Sequence, residues 1–413
     1  MTVSAGGSGA DRTPLRRHVA SFAKLTGWWY FPIALIGRLP FAMMIVGILT
    51  IVTTIRGSVA EAGLAAASAG IGTALCGPFV GSLADRFSQR SVLLTCSALS
   101  ILSTALLLVL VDDAPLAVLL AVAIVAGGTT PQVSPFSRSR LVVFAGTARS
   151  PATRDRAVSM AMSYESVMDE ASFVLGPVLV GVLTTFIAPW APLAIGAVLT
   201  STVVTAFALH PSGQALGSSL RPLSESPGRV FSPRVVMLAA GMLLVGSAFG
   251  SILTALTAFM SARGAGEQTG IVYGAMSVGA ILVAVSVVAL PRGFTLPSRW
   301  VAFGLVGLAG TVALACATSI GGMIVALLLS GVGIGAVLVS LFSLGTNAAP
   351  EGRSTTVLTT LQSTLVVGQA FATAAAGLVA QAHGATAGFA ITVAVVIALV
   401  VLAAVYRLRF GAG

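Results

Sequence analysis

The chain has 413 residues, of which 56% are hydrophobic and only 8% charged, with a mean hydropathy of +1.02. A soluble protein of this size could not hide that much apolar surface, so the bilayer must act as solvent for most of it. The net charge of +10 does not indicate nucleic acid, because the basic residues cluster at the ends of apolar runs and not along one solvated face.

The first 25 residues are polar and Gly/Ser-rich and lack the apolar stretch of a signal peptide, so residues 1–29 read as a cytoplasmic tail. Twelve membrane helices are predicted next, since a helix needs about 20 apolar residues to cross a core of about 30 Å. They fall near 30–55, 61–84, 91–111, 115–140, 156–187, 190–209, 235–260, 269–290, 299–317, 321–346, 354–381 and 385–406. Span 1 carries one internal charge, Arg38. Residues 210–234, "HPSGQALGSSLRPLSESPGRVFSPR", are rich in Pro, Ser and Gly and read as a cytoplasmic linker. It would join a six-helix bundle over 30–209 to another over 235–406, with 407–413 as a cytoplasmic tail. Cys76, Cys96 and Cys316 all lie in apolar segments and read as core side chains, with no disulfide framework or metal-ligand spacing.

The loop after span 2 reads "GSLADRFSQR" over 81–90. It resembles the G-x-L-x-D-R-x-G-R-[KR] loop of the major facilitator superfamily, with Ser88 where that family usually has glycine. The resemblance implies an all-α integral membrane fold of two pseudo-symmetric six-helix bundles. It also implies a conformational latch formed by Gly81, Asp85, Arg86 and Arg90 against span 11. A short residue such as Gly81 allows close helix packing, and Asp85 suits the positive end of a neighbouring helix. The two arginines also have a plainer role as positive-inside anchors.

Span 4 ends in "TTPQVSPFSRSR", which brings Arg138 and Arg140 to its inner end. Span 5 contains "SYESVMDEASFVLGP", with Glu165, Asp169 and Glu170 inside the membrane. Each intramembrane charge costs at least about 2.5 kcal/mol and usually faces a cavity or a partner. At 100° per residue Glu165, Asp169, Ser172 and Gly176 share one stripe, and Ser166, Glu170, Phe173 and Pro177 share the next. Glu165 lies about 13 Å beyond Arg156 and Arg38 about 12 Å beyond Tyr30, so these two can pair, as can Glu165 with Arg140. Asp169 and Glu170 lie about 20 Å in, where no basic residue is expected to reach. An unpaired carboxylate there is suited to carrying a proton or meeting a cationic substrate. A static ion-pair network that fixes helix packing is the competing reading.

Gly176, Pro177 and Gly181 follow, and Pro177 is expected to kink the span. "SFVLGPVLVG" is similar to the G-x-x-x-G-P-x-x-G-G signature on helix 5 of proton antiporters in the same superfamily, with Ser172 replacing the first glycine. The wider arrangement resembles bacterial, actinobacterial members of it. The C-terminal half holds no acidic or basic residue in the interiors of its spans, and its main amides, Gln362, Gln369 and Asn347, are candidate substrate contacts. Nine residues separate Arg156 from Glu165-Ser166, and nine separate Arg353 from Gln362-Ser363, which suggests that spans 5 and 11 are equivalent.

Nineteen basic residues fall at the ends assigned to the cytoplasm, against Arg56 and Arg263 outside, so both termini are expected in the cytoplasm. The resulting expectation is a monomeric secondary transporter of the bacterial cytoplasmic membrane, with a small-molecule substrate, protons and lipid as its partners. No cofactor or metal is expected. Proton-coupled export of a small organic compound, drug-like or cationic, is the first reading, with a cavity between spans 1, 4, 7 and 10. A proton-coupled importer of a sugar or organic anion, with Arg38 as its anion contact, is the second. An enzyme is not expected, because no nucleophile–base or metal constellation is present.

Overall fold

The computed structural model describes residues 27–146, 151–213, 230–265, 269–286, 290–291, 293–350 and 353–410. Among them all regular structure is helical. In the first half, α1 comprises Tyr30–Ile36 and Leu39–Arg56, α2 is Val59–Arg86, and α3 is Gln89–Leu110. Helix α4 comprises Leu116–Thr129 and Val133–Gly146, and α5 is Pro151–Phe186. Helix α6 runs through Ala191–Leu199, a π-helical turn at Thr200–Val204, and Thr205–Leu209. The second half holds α7 Pro233–Ser261, α8 Thr269–Ser286, α9 Leu296–Cys316, α10 Ile320–Ala348, α11 Ser354–His383 and α12 Ala385–Phe410.

Eleven of these spans are long and apolar enough to cross a membrane, and α8 supplies the twelfth with a shorter apolar stretch. They form two six-helix bundles. Most of the expected linker, residues 214–229, lies outside the described residues. Serine side chains cap several starts: Ser58 accepts from Glu61 N at 3.2 Å, Ser88 from Ser91 N at 3.1 Å, and Ser319 from Gly322 N at 3.1 Å. Leu75, Phe79, Leu102, Val109, Ile271 and Phe371 are all more than 60% exposed, an apolar coat that suits lipid and not water.

Glycines set the close crossings. A Cβ at Gly72 would stand 1.9 Å from the Ile124 carbonyl oxygen, and one at Gly127 1.9 Å from that of Ala69, so α2 and α4 meet backbone to backbone. The α7–α11 crossing uses Gly246 and Gly368 in the same way. Gly127→Ala is therefore expected to cost about 1–3 kcal/mol or more, because a rigid backbone must move. Gly181→Ala, in a helix and with open space around it, should be neutral or stabilise by up to about 1 kcal/mol. Thermal unfolding of the two variants in detergent separates these outcomes.

The halves meet where α2 packs on α11 and α5 packs on α8 and α10. At the inner end, where α1 begins and α12 finishes, Thr346 Oγ1 reaches the Met162 sulfur at 4.0 Å. Cys96 is buried, Cys76 is half-buried and Cys316 is exposed, so the reading of all three as core residues holds fully only for Cys96.

Candidate functional site

Two spans expected as continuous helices are interrupted. Helix α1 tightens at Gly37-Arg38 ahead of Pro40, where Arg38 N donates to Leu35 O at 3.1 Å and both residues keep helical angles, and α4 breaks at Thr130-Pro131-Gln132, where proline removes a donor. Backbone groups freed at the α4 break find partners: Thr130 N and Oγ1 donate to Ala126 O at 3.1 and 2.7 Å, and Thr73 Oγ1 donates to Gly127 O at 3.0 Å. The two interruptions face each other, since a Cβ on Gly37 would lie 3.5 Å from Val133 Cγ2. Beside this junction lies a small cleft, lined by Arg38, Phe41 and Ala42 of α1 and by Gln132, Val133, Ser134 and Pro135 of α4. Asp169, Ser172 and Phe173 of α5 and Gln362 of α11 complete it. The cleft therefore adjoins spans 1, 4, 5 and 11, and shares spans 1 and 4 with the cavity expected between spans 1, 4, 7 and 10. Irregular backbone at membrane depth is tolerated where it borders protein or a cavity, and transporter sites often use such interrupted helices.

A buried four-charge network lies at its wall. The Arg38 guanidinium donates to Glu165 Oε2, to Asp169 Oδ1 at 3.0 Å and to Ala34 O at 2.7 Å. Arg138 donates through Nη2 to Asp169 Oδ2, which Ser134 Oγ also reaches at 2.9 Å. Glu165 Oε1 accepts from Ser137 Oγ at 2.6 Å, and Ser137 Oγ is 2.7 Å from the Tyr30 hydroxyl. Arg138 and Glu165 have 0% exposure, and Asp169 has 5%. The stripe read from helical spacing is thus buried as a unit through Glu165, Asp169, Ser172 and Gly176.

The expectation that no cation reaches Asp169 is corrected. Depth counted along helix axes omits side-chain length: Arg38 and Asp169 differ by about a turn and a half, some 8 Å at 1.5 Å per residue, which an arginine side chain can lean across. Arg138 reaches Asp169 from the second piece of α4. The Glu170 side chain lies outside the described residues. Arg140 does not meet Glu165. It donates to Gln89 Oε1 at 3.0 Å, Phe207 O at 2.8 Å and Ser212 Oγ at 3.1 Å, and stacks on the Phe207 ring at 3.9 Å. Its charge thus serves the carbonyl end of α6. Nearby, burial and then the Arg140 charge hold His210 below the usual imidazole range.

Of the amides, Gln362 lines the cleft, while Gln369 is half-buried with its backbone against Gly250, and Asn347 is exposed at the inner end of α10. Gly176 lets α5 approach α1, since a Cβ there would lie 2.7 Å from Ala42 Cβ. Helix α5 continues through Pro177 without interruption, and a Cβ on Gly181 would meet no atom within 4 Å among the described residues.

At the inner end Asp85 accepts from Thr355 N at 3.2 Å, Thr356 N at 2.7 Å and Thr356 Oγ1 at 2.6 Å, all in the first turn of α11. Gly81 makes room, for a Cβ there would be 2.0 Å from Thr359 Oγ1. Arg86 and Arg90 are exposed. Ser88 sits in extended backbone at φ −169° and caps α3, so this loop has no need of glycine there. Sequence reasoning missed Gln89, which donates to Ser139 Oγ at 2.6 Å and Thr355 Oγ1 at 3.3 Å. It also missed Phe342, whose ring lies 3.5 Å below the Arg138 guanidinium and ties the charge network to α10. Ser134 was legible in retrospect, one turn before Arg138 in "SPFSR".

The family model described as Major Facilitator Superfamily matches residues 30–366. Among solved structures, a bacterial homologue of the iron transporter ferroportin in its outward-facing state is similar with TM-score 0.73 and 20% identity, over 92% of this chain and 98% of that one. The human organic anion transporter MFSD10 (TETRAN) gives TM-score 0.69 and 17% identity, over 94% and 100%. The transporter FucP in its outward conformation gives 0.61 and 16%, over 91% and 98%. At these identities the likeness is one of fold. No curated protein matches the sequence.

Proposed function

Because the chain belongs to the major facilitator superfamily, we propose that it is a proton-coupled secondary transporter that moves a small organic compound across the bacterial cytoplasmic membrane by alternating access. The bundles 30–209 and 235–406 rock about the cleft, with 210–234 as the linker and the monomer as the working unit. One observation carries the reading. Asp169 is a cleft-lining carboxylate whose partners, Arg38 and Arg138, sit on two other helices, so a change in its charge alters the contacts of α1, α4 and α5 together. Arginine placement puts the joined inner end at the cytoplasm, which makes this an outward-facing arrangement.

Export remains the first direction, supported by the Gly176-Pro177 segment after the acids. Import of a sugar or organic anion is the second, supported by the Arg38 guanidinium at the cleft, with Arg138 buried behind Asp169, where a cationic substrate would want a free carboxylate. In proteoliposomes screened for solute-induced proton flux, Asp169→Asn should lose that flux to background. Glu170→Gln is the companion variant. Full gradient-driven flux in both single variants would sink the proton-site reading.

A further inference from the structure

Asp169 is held by donors arranged as a receptor would hold a substrate carboxylate. Arg38 Nε reaches Oδ1 at 3.0 Å, Ser134 Oγ reaches Oδ2 at 2.9 Å, and Arg138 Nη2 joins it there. Arg138 Nη1 is buried and has no hydrogen-bond partner among the described residues. We infer that the cleft takes an organic anion together with a proton, the substrate's carboxylate or sulfonate replacing Asp169 among these donors. The inference rests on the proposed role of Asp169 as proton site and names the substrate class of that site.

The charge count supplies the logic. Arg38 and Arg138 balance Glu165 and Asp169, so the network is neutral while both acids are ionised. Other elements packed on α5 do not alter the balance: α6, α8 and α10 carry no Asp, Glu, Lys, Arg or His within their bounds, α8 adding only Tyr273, and α11 brings the uncharged Gln362 to the cleft. On α5 itself Glu165 lies one turn away with 0% exposure, paired to Arg38 and Ser137, so Asp169 is the described acid that borders the cleft.

With Asp169 ionised, its donors are occupied and an incoming anion gains little. Once a proton from the cleft settles on the Asp169 carboxylate, the site carries one net positive charge in a low-dielectric wall, and an anion restores neutrality. The converse also holds. An anion that takes Arg38, Arg138 and Ser134 strips Asp169 of its partners, and the carboxylate then takes up a proton. Each ligand favours the other by the same factor, as thermodynamic linkage requires. A cation has the opposite problem, because it must displace two guanidiniums to reach the carboxylate. Phe41, Phe173 and Pro135 give the cleft apolar walls, which suit a small amphipathic anion once the cleft widens to admit it.

The test uses the full chain in detergent and three probes of one shape: benzenesulfonate, neutral benzenesulfonamide and cationic benzylamine. Calorimetry and a pH-indicator dye in weak buffer should show sulfonate binding with uptake of one proton, tightening about tenfold per pH unit of acidification above the linked titration. Asp169→Asn should bind sulfonate without proton uptake and equally at pH 6 and 8. Should that variant not fold, the wild-type proton stoichiometry decides alone. Sulfonate binding no tighter than the sulfonamide, binding without proton uptake, or preference for benzylamine overturns the inference. If the anion fails while another solute still drives proton flux that Asp169→Asn abolishes, the substrate class is wrong and the proton site stands. If Asp169→Asn keeps that flux, the underlying reading fails.

Discussion

Arg38→Met is expected to lower stability by about 3–5 kcal/mol, enough to remove most folded protein from a detergent extract. The guanidinium is 3% exposed and holds Glu165, Asp169 and the Ala34 carbonyl at once, tying the start of α1 to α5. Methionine fills similar volume, so the loss is electrical and not a cavity. Asp169 keeps Arg138 and Ser134, but Glu165 keeps only the Ser137 hydroxyl in a place with 0% exposure. An ionised carboxylate left there without a cation costs far more than the pair contributed when intact. Arg38→Met combined with Glu165→Gln should therefore recover most of the loss, because the amide needs no counter-charge and still accepts from Ser137. Arg38→Lys should be intermediate: an ammonium lacks the planar fork that addresses two carboxylates from one side chain. The measurement is a thermal melt of the three variants by fluorescence size-exclusion. A single variant as stable as the double one would show that Glu165 finds another partner and that the pair is not what holds α1 to α5.

How much of this was legible in the sequence depends on how local the signal was. Span positions came from long apolar runs, and all twelve expected spans have a helix in place. The buried stripe of α5 came from 3.6-residue periodicity, which survives any tertiary arrangement. The interruptions in α1 and α4 were written in "GRLP" and "TTPQ" but were overridden by the apolar run around them. Partners of Asp169 were missed because depth along a helix says nothing about how far an arginine side chain leans. Phe342 lies 204 positions after Arg138, in a span of unbroken apolar character, and no local pattern marks one aromatic ring among many as the one beneath a cation.

The two interruptions and the charge network also explain why the N-terminal half holds the chemistry. Arg38 sits at the N-cap of the second piece of α1, and Arg138 lies one turn and a half into the second piece of α4. Both positions lie at or just after these interruptions, a tightened helical turn in α1 and a proline break in α4, so the charged groups stand where polar neighbours are available. The opposite half contributes mostly shape, through Phe342 and the Gln362 amide, and closure, through the start of α11.

That closure gives the second large expected effect. Asp85→Asn should shift the balance between the joined and separated inner ends by about 10–100-fold, at 1.4 kcal/mol per tenfold, without unfolding either bundle. The Asp85 carboxylate accepts three hydrogen bonds from Thr355 and Thr356, where the first turn of α11 presents unpaired N–H groups and partial positive charge. Charge-assisted bonds of this kind contribute about 1.5–3 kcal/mol, and an amide offers one acceptor and no charge. Because the contact joins α2 to α11 across the two halves, its loss falls on the joined state and spares the packing within each. Spin labels at Phe87→Cys and Asn347→Cys, both exposed at the inner end, in a background lacking the three native cysteines, read the separation directly. Asp85→Asn should add a longer distance population. Gly81→Val should do the same by pushing Thr359 away, whereas Arg90→Gln, exposed and outside the contact, should leave the distribution unchanged. An unchanged distribution in Asp85→Asn would mean that the Arg138–Phe342 stack and the Gln89–Thr355 bond hold the inner end closed without it.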